Sequence, residues 1–336
     1  MKENQSKITL IKRDDTFDII KGVCILLMVI GHCPVKTSLE NVIFSFHMPV
    51  FFFIAGFFFK PYGLHRTVIT GIRRLFVPFV AVFLFCFAVA HIFDIFGCFS
   101  NVIMSRVDYN DPIKSIFLMG RGLPVWFLVS LFWCRLLSIP ISKVKKDVVM
   151  LVGVLFAAIV AANLYYYIKL PLVIIPSLSA LGFYTVGRLL STRNFFSNEK
   201  IKMYLPLLLG VWGICLSTGK RLNIVFSEYS GFYVLDLLGA LGVFISLYFL
   251  VQNCKTKSIT WIFLKWCGVN SLIILCVHSV ELNFFDIDAL RKKLLLIFWP
   301  YELYVTVALR LAFDLSVAYA LTKCKIIKRY VFAQYD

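Results

Sequence analysis

Long apolar runs dominate the chain and follow one another with short polar connections. Most are close to the roughly 20 residues that a helix needs to cross a bilayer. They show no apolar–polar alternation, which excludes the strands of a membrane barrel and favours helices. The pattern therefore predicts an all-α, polytopic transmembrane bundle of about ten helices, with residues 1–336 as a single domain. The predicted segments are residues 16–33, 41–59, 75–96, 123–139, 147–166, 172–190, 203–217, 231–251, 268–285 and 301–321.

Composition and charge support a membrane protein. The 336 residues are 60% hydrophobic and only 16% charged, outside the range of soluble domains. The net charge of +17 does not indicate nucleic acid here. Lys and Arg are roughly twice as frequent in the connections on the side of the two termini, as expected for cytoplasmic loops. We therefore predict an integral, multi-pass protein of the cell membrane, surrounded by lipid, with both termini in the cytoplasm.

The first apolar run carries ionisable residues along one face. Lys21 and His32 are eleven residues apart, which on a helix brings them within about 20° of the same direction and separates them by a rise of about 16 Å. Asp18, Ile25 and Met28 share this stripe. Charged groups at membrane depth are costly, so such a stripe predicts a lined path through the membrane.

Two interpretations of this stripe remain open from the residues alone. In the functional one, His32 is a general base near one membrane face and Lys21 meets an anionic ligand near the other. In the structural one, Lys21 extends to the membrane interface and His32 is an ordinary interfacial side chain. The shared face, with Asp18 one turn below Lys21, favours function.

The second apolar run contains a further histidine beside a proline. His47 precedes Pro49, which frees backbone groups within a span and predicts a kink beside a cavity or a neighbouring helix. His47 is therefore a candidate catalytic residue, with an interfacial histidine as the alternative. The small pair Ala55 and Gly56, flanked by phenylalanines, predicts close helix packing.

Basic residues before the third segment are candidates for binding phosphates. Arg66, Arg73 and Arg74 lie on the predicted cytoplasmic side, where guanidinium groups match phosphate oxygens. Ordinary positive-inside charge is the alternative. Trp126, at the start of the fourth segment, is either a substrate contact or an interfacial anchor.

The ninth segment supplies polar candidates for substrate binding. Asn270 lies near its start, and His278 and Glu281 share one helix face at a spacing of three. The two either position a hydroxyl group or form an internal pair. The ten cysteines contain no C-x-x-C pair, so we predict no metal site and no bound cofactor.

Several stretches in this order resemble the acyltransferase-3 family of membrane acyltransferases, and within it the fucose 4-O-acetylase-like subgroup. The family's basic-x10-His signature corresponds to Lys21 and His32. The resemblance covers essentially the whole chain. The matching stretches are DIIKGVCILLMVIGH at 18–32, FSFHMPVFFFIAGFFF at 44–59, RRLFVP at 73–78, PVWFL at 124–128 and GVNSLIILCVH at 268–278.

The resemblance implies a reaction and its participants. The donor would be acyl-CoA, usually acetyl-CoA, arriving from the cytoplasm as a co-substrate, and the acceptor a carbohydrate at the outer face of a bacterial-type inner membrane. It implies His32 as the essential histidine, Lys21 as its basic partner and the arginines as a CoA contact. Where the family often has Arg-x-x-Arg, this chain has Arg73 and Arg74 adjacent, with Arg66 earlier.

We therefore predict a membrane O-acetyltransferase that acts on a surface polysaccharide or its lipid-linked precursor. A transporter or flippase for a glycolipid is the alternative from another class. It would share the buried polar residues but often shows internal repeats with interrupted helices, which this sequence does not display. A scaffold subunit, in which no buried histidine matters, is the third interpretation. The oligomeric state does not follow from the sequence.

Overall fold

The computed structural model describes residues 15–95, 112–117, 123–168, 170–254, 258–284 and 287–333. This part of the chain is helical, with no strand beyond one isolated bridge. The helices are α1 (Thr16–Gly31), α2 (Thr37–Phe44), α3 (His47–Phe57), α4 (Leu64–Gly71), α5 (Val77–Ile95), α6 (Pro112–Phe117), α7 (Trp126–Ile141), α8 (Asp147–Leu164), α9 (Ile174–Thr192), α10 (Leu205–Ser217), α11 (Tyr233–Cys254), α12 (Ile259–Val269), α13 (Ser271–Phe284), α14 (Ile287–Phe298), α15 (Glu302–Lys323) and α16 (Lys325–Tyr330).

The helices make this an integral membrane protein. Seven helical stretches of the described chain are long and apolar enough to cross a membrane, and eight if the bent pair α12–α13 is one span. Helices α1 and α7 coincide with the first and fourth predicted segments but have only 16 residues each. The expected count of about ten and the cytoplasmic termini therefore stay predictions.

Helices α1 and α12 approach each other through two glycines. A Cβ atom on Gly22 would lie 1.9 Å from the carbonyl oxygen of Leu264, and one on Gly268 would lie 1.7 Å from that of Asp18. Small residues let helix backbones pack closely where lipid removes the hydrophobic driving force. This contact fixes α1, and with it the stripe that carries Lys21 and His32.

Helices α3 and α9 form a second close contact of the same kind. A Cβ atom on Gly56 would lie 1.9 Å from the carbonyl oxygen of Tyr184, and one on Gly187 would lie 2.1 Å from that of Phe53. The packing predicted for the Ala55–Gly56 pair is thus confirmed at Gly56. Ala55 lies on a different side of α3 and lines the groove of the candidate site.

The second predicted segment is one span with a break. Helix α2 ends at Phe44 and α3 begins at His47, so the break precedes the histidine instead of following it. Pro49 lies in the first turn of α3, where its missing N–H has no helical acceptor to lose. Ser45 lies in the break and is hydrogen-bonded there. Its hydroxyl donates to the carbonyl of Val42 and accepts from the indole N–H of Trp212.

The ninth predicted segment is the second half of a bent pair. Helices α12 and α13 meet at Asn270 with a bend of 73°. Both the backbone N–H and the side-chain amide of Asn270 donate to the carbonyl oxygen of Trp266, at 3.1 and 2.9 Å, and so close the end of α12 at the bend. The bend turns α13 so that His278 and Glu281 face α1 and α15.

The third predicted segment begins earlier than expected. A continuous helical stretch runs from Leu64 through a π-helical turn at Ile72–Phe76 into α5. Arg73 and Arg74 lie in this turn and are exposed. π-turns occur frequently at functional sites because they change the direction of side chains within a helix.

The α1–α12 contact generates a test of the fold. Gly268→Ala should destabilise the protein by about 1–3 kcal/mol, because the added methyl group overlaps the backbone of α1. Equilibrium unfolding of the purified protein in mixed micelles measures this change.

The matched control is Gly153→Ala on α8, where nothing lies within 4 Å of the added Cβ. We expect this variant to be as stable as the unaltered protein or more stable by up to about 1 kcal/mol, because Ala favours a helix over Gly. Equal behaviour of the two variants would contradict the backbone contact.

Candidate functional site

A half-open groove runs along one face of α1. Its volume is about 270 Å³, and apolar side chains form most of its wall. Lys21, Ile25 and Met28 of the α1 stripe line it together. The remaining lining residues come from α3, the π-turn, α7 and α13 and are Met48, Phe51, Ile54, Ala55, Phe58, Leu75, Phe127, Leu128, Leu131, Ser271, Leu272 and Leu275.

The Lys21 end of the groove contains an ion pair. The ammonium group of Lys21 lies 2.7 Å from a carboxylate oxygen of Asp18, and its side chain is 23% exposed. Asp18 itself is buried. The cation is therefore locally balanced, yet accessible from the groove.

Two histidines lie one helical turn beyond the other end of the groove. His32 follows the lining residue Met28 by four positions on α1, and His278 follows Leu275 by three on α13. Their ring centroids are 5.2 Å apart in an edge-to-face arrangement. The groove thus begins beside an ammonium group and ends one helical turn short of a pair of imidazoles.

The backbone fixes the tautomer of His32. Its Nδ1 lies 2.8 Å from the carbonyl oxygen of Met28, which can only accept, so Nδ1 carries the hydrogen. In the neutral ring Nε2 is then the basic nitrogen. The ring is partly buried and also contacts Phe44, with 5.7 Å between centroids.

A buried ionic cluster supports this histidine pair. The Nε–H of Arg310, on α15, donates to both carboxylate oxygens of Glu281, at 3.0 and 2.9 Å. The Nη1 of Arg310 donates to the carbonyl oxygen of His32 at 2.7 Å. Asp314, one turn further along α15, lies 2.8 Å from Nδ1 of His278. The four side chains Glu281, His278, Arg310 and Asp314, here called the ionic quartet, are at most 5% exposed.

The quartet also has the spacing of a metal site. The donor atoms of His278, Glu281 and Asp314 lie within 4.8 Å of one another. The guanidinium of Arg310, however, already contacts both oxygens of Glu281 and supplies the positive charge that a metal would bring. The donor set therefore fits an internal ionic network better than a cation site.

Three other candidate residues lie outside this constellation. His47 is buried at the start of α3, and its Nδ1 is 2.7 Å from the carbonyl oxygen of Ile43. It reaches the His32 region only through Phe44, whose ring contacts both histidines. Trp126 is buried against Phe52 and is not at a lipid interface. Asn270 belongs to the bend described above.

The predicted arginine cluster is exposed, and Arg73 and Arg74 directly precede Leu75, which lines the groove. Arg66, Arg73 and Arg74 are solvent-accessible, and the guanidinium of Arg66 lies 4.2 Å from the ring centroid of Tyr62. Arg135 of α7 adds a half-buried guanidinium that reaches the hydroxyl of Thr70 at 3.4 Å. Arg74 and Arg135 thus lie on the elements that contribute Leu75 and Leu131 to the groove wall.

Sequence reasoning overlooked Arg310, Asp314 and Arg135 as site residues. The sequence could have identified each of them as a candidate, because an ionisable residue inside an apolar span is expected to face the protein interior. Arg310 and Asp314 are four residues apart and so share a helix face. Nothing in the sequence, however, joins that face to His278 and Glu281.

The quartet generates a stability prediction. Arg310→Met should lower the free energy of unfolding by about 3–5 kcal/mol, because it leaves the carboxylate of Glu281 buried without its partner. Adding Glu281→Met in the same chain should recover much of the loss. Equilibrium unfolding in mixed micelles measures both variants.

The control is Arg193→Met, which removes an exposed ion pair with Asp147. Its effect should stay below about 1 kcal/mol. An equally small effect of Arg310→Met would contradict the buried network.

Comparison with known proteins adds the family. No curated protein and no solved structure matches the chain. One family model, described as an acyltransferase domain, matches residues 14–320 and so includes the groove, both histidines and the ionic quartet. The chain is therefore a membrane protein of the acyltransferase-3 family.

Proposed function

We propose that the protein is an O-acetyltransferase that moves an acetyl group from cytoplasmic acetyl-CoA to a sugar hydroxyl of a surface polysaccharide or its lipid-linked precursor. The observation that carries this proposal is the groove that runs along α1 from Lys21 to Met28, with the His32–His278 pair one helical turn beyond its lining. Family membership supports acyl transfer. The acyl-CoA donor, the carbohydrate acceptor and the bacterial inner membrane follow from the resemblance found in the sequence, including its fucose 4-O-acetylase-like subgroup.

The groove suits an extended thioester arm. The rise between Lys21 and His32 along α1 is about 16 Å, on the order of the length of a pantetheine arm. Apolar walls suit the hydrocarbon part of such an arm, and Lys21 at one mouth, together with the arginines on elements that line the groove, matches phosphates. With the predicted orientation, this mouth faces the cytoplasm, where acyl-CoA is available.

His32 is suited to act as the general base. Because Nδ1 donates to Met28, Nε2 is the atom that accepts the proton of the acceptor hydroxyl. The hydroxyl oxygen then attacks the thioester carbon, the C–S bond breaks, and the thiolate takes the proton from His32 as CoA leaves. Arg310 holds the backbone of His32, and so positions the ring without touching the reacting atoms.

The first prediction of this proposal concerns His32. His32→Ala should reduce acetyl transfer by about 10²–10⁴-fold, because the proton acceptor is lost. The assay uses inverted membrane vesicles from cells that carry the native glycan and measures label incorporated from radiolabelled acetyl-CoA.

His91→Ala serves as the matched control, since His91 is exposed on α5 away from the groove. It should transfer label like the unaltered protein, and all variants should insert into the membrane to the same level. Undiminished transfer by His32→Ala would rule out His32 as the base.

The second prediction concerns the groove. Ala55→Phe should raise KM for acetyl-CoA by more than about tenfold, because the ring occupies space that the donor needs. Ala157→Phe is the control, as Ala157 is exposed on α8. An unchanged KM in the Ala55 variant would show that the donor binds elsewhere.

A transporter for a glycolipid is the second candidate, and one structural observation favours it. The break between α2 and α3 and the 73° bend at Asn270 are interrupted helices of the kind seen at transport sites, although the sequence displayed none. The vesicle assay separates the two functions. Glycolipid translocation without acetyl-CoA consumption would indicate transport, and labelled glycan would indicate transfer.

A further inference from the structure

Acyl transfer to a hydroxyl needs a hydrogen-bond donor for the oxyanion that forms on the thioester carbonyl, besides a general base. His32 supplies only the base, because its Nδ1–H already donates to Met28. The neighbouring ring is His278, which the function proposed above leaves without a role. Its Nδ1 faces Asp314, so its Nε2 lies on the other side of the ring.

The Nε2 atom of His278 is buried without a hydrogen-bond partner among the residues that the structure describes. The side chain of His278 is 0% exposed. A buried polar nitrogen that is left unpaired costs about 1–3 kcal/mol. Such an atom beside a candidate base offers a hydrogen-bonding position for a substrate oxygen.

A hydrogen on this nitrogen would keep the buried cluster around His278 electrically neutral. The ionisable groups facing His278 are Glu281 from its own helix, Arg310 and Asp314 from α15, and His32 and Cys33 at the end of α1. Arg310 neutralises Glu281, so a buried, overall neutral cluster needs one further proton shared by His278 and Asp314.

In such a neutral cluster Nε2 of His278 carries a hydrogen wherever the shared proton lies. If the proton lies on the imidazole, both ring nitrogens carry hydrogen. If it lies on the Asp314 carboxyl and is donated to Nδ1, the neutral ring has its hydrogen on Nε2. In both cases Nε2–H is a donor.

We propose that His278 is a catalytic residue that stabilises the oxyanion through Nε2–H, while His32 acts as the base. As the acceptor oxygen bonds to the thioester carbon, the carbonyl oxygen gains the electron pair and accepts the hydrogen bond from His278. The proton of the acceptor hydroxyl goes to His32. When the C=O bond re-forms, the C–S bond breaks and the thiolate takes that proton. This inference rests on the proposed acyl transfer, and Asp314 is a positioning residue in it.

Two amide substitutions separate the catalytic role from a structural one. In His278→Gln the amide nitrogen reaches the position of Nε2, whereas in His278→Asn it reaches only that of Nδ1, next to Asp314. A catalytic Nε2–H predicts that Gln retains at least about tenfold more kcat than Asn. A purely structural contact to Asp314 predicts the reverse order.

The expected values can be stated for the vesicle assay with acetyl-CoA. His278→Asn and His278→Ala should lose about 10²–10³-fold in kcat, with KM for acetyl-CoA within about threefold of the unaltered value. Ser279→Ala is the matched control on the same helix, because its buried hydroxyl only donates to the carbonyl of Leu275. It should keep full activity.

Three outcomes overturn the inference. They are unchanged kcat in His278→Ala, Asn equal to or better than Gln, and a loss that appears in KM instead of kcat. An unchanged KM also shows that the donor site is still folded. If the unaltered protein transfers acetyl groups but the variants behave in one of these ways, only the role of His278 fails. If the unaltered protein transfers none, the proposed function fails as well.

Discussion

The contact between Arg310 and Glu281 is the interaction on which the site depends. In lipid, a buried charge is tolerated only if another group balances it, and a helix end must find partners for its carbonyl groups. One guanidinium meets both demands, since it pairs with Glu281 on α13 and binds the carbonyl of His32 at the end of α1. Arg310 thereby holds α1, α13 and α15 in fixed positions around the imidazoles of His32 and His278.

Glycine contacts fix the position of α1 against α12. Gly22 and Gly268 bring α1 against α12 with no side chain between the backbones. The bend at Asn270 then directs α13 toward α15, so that one continuous stretch of chain contributes both a packing surface and His278. The bend gives the two halves of this stretch different axes, so that one half packs on α1 while the other carries His278 toward α15. A straight helix has a single axis.

The groove gives the two ends of α1 different chemistry. At one end Lys21 is balanced by Asp18 and lines the groove. One helical turn beyond the other end of the groove lie the paired rings of His32 and His278. An apolar wall between two polar ends suits a ligand with a charged head, a long arm and a reactive terminus. These are the features of the proposed thioester donor.

The sequence by itself determined the membrane class, the helical architecture and the α1 stripe, because apolar length and helical spacing act locally along the chain. It also placed His278 and Glu281 on one face. It did not reveal that Arg310 and Asp314 complete that face, since pairing between α13 and α15 depends on a bend and on packing between distant segments. For the same reason it gave no sign that Trp126 is buried, or that Asn270 supports a bend. Local periodicity fixes which face a residue occupies, whereas tertiary packing decides what that face meets.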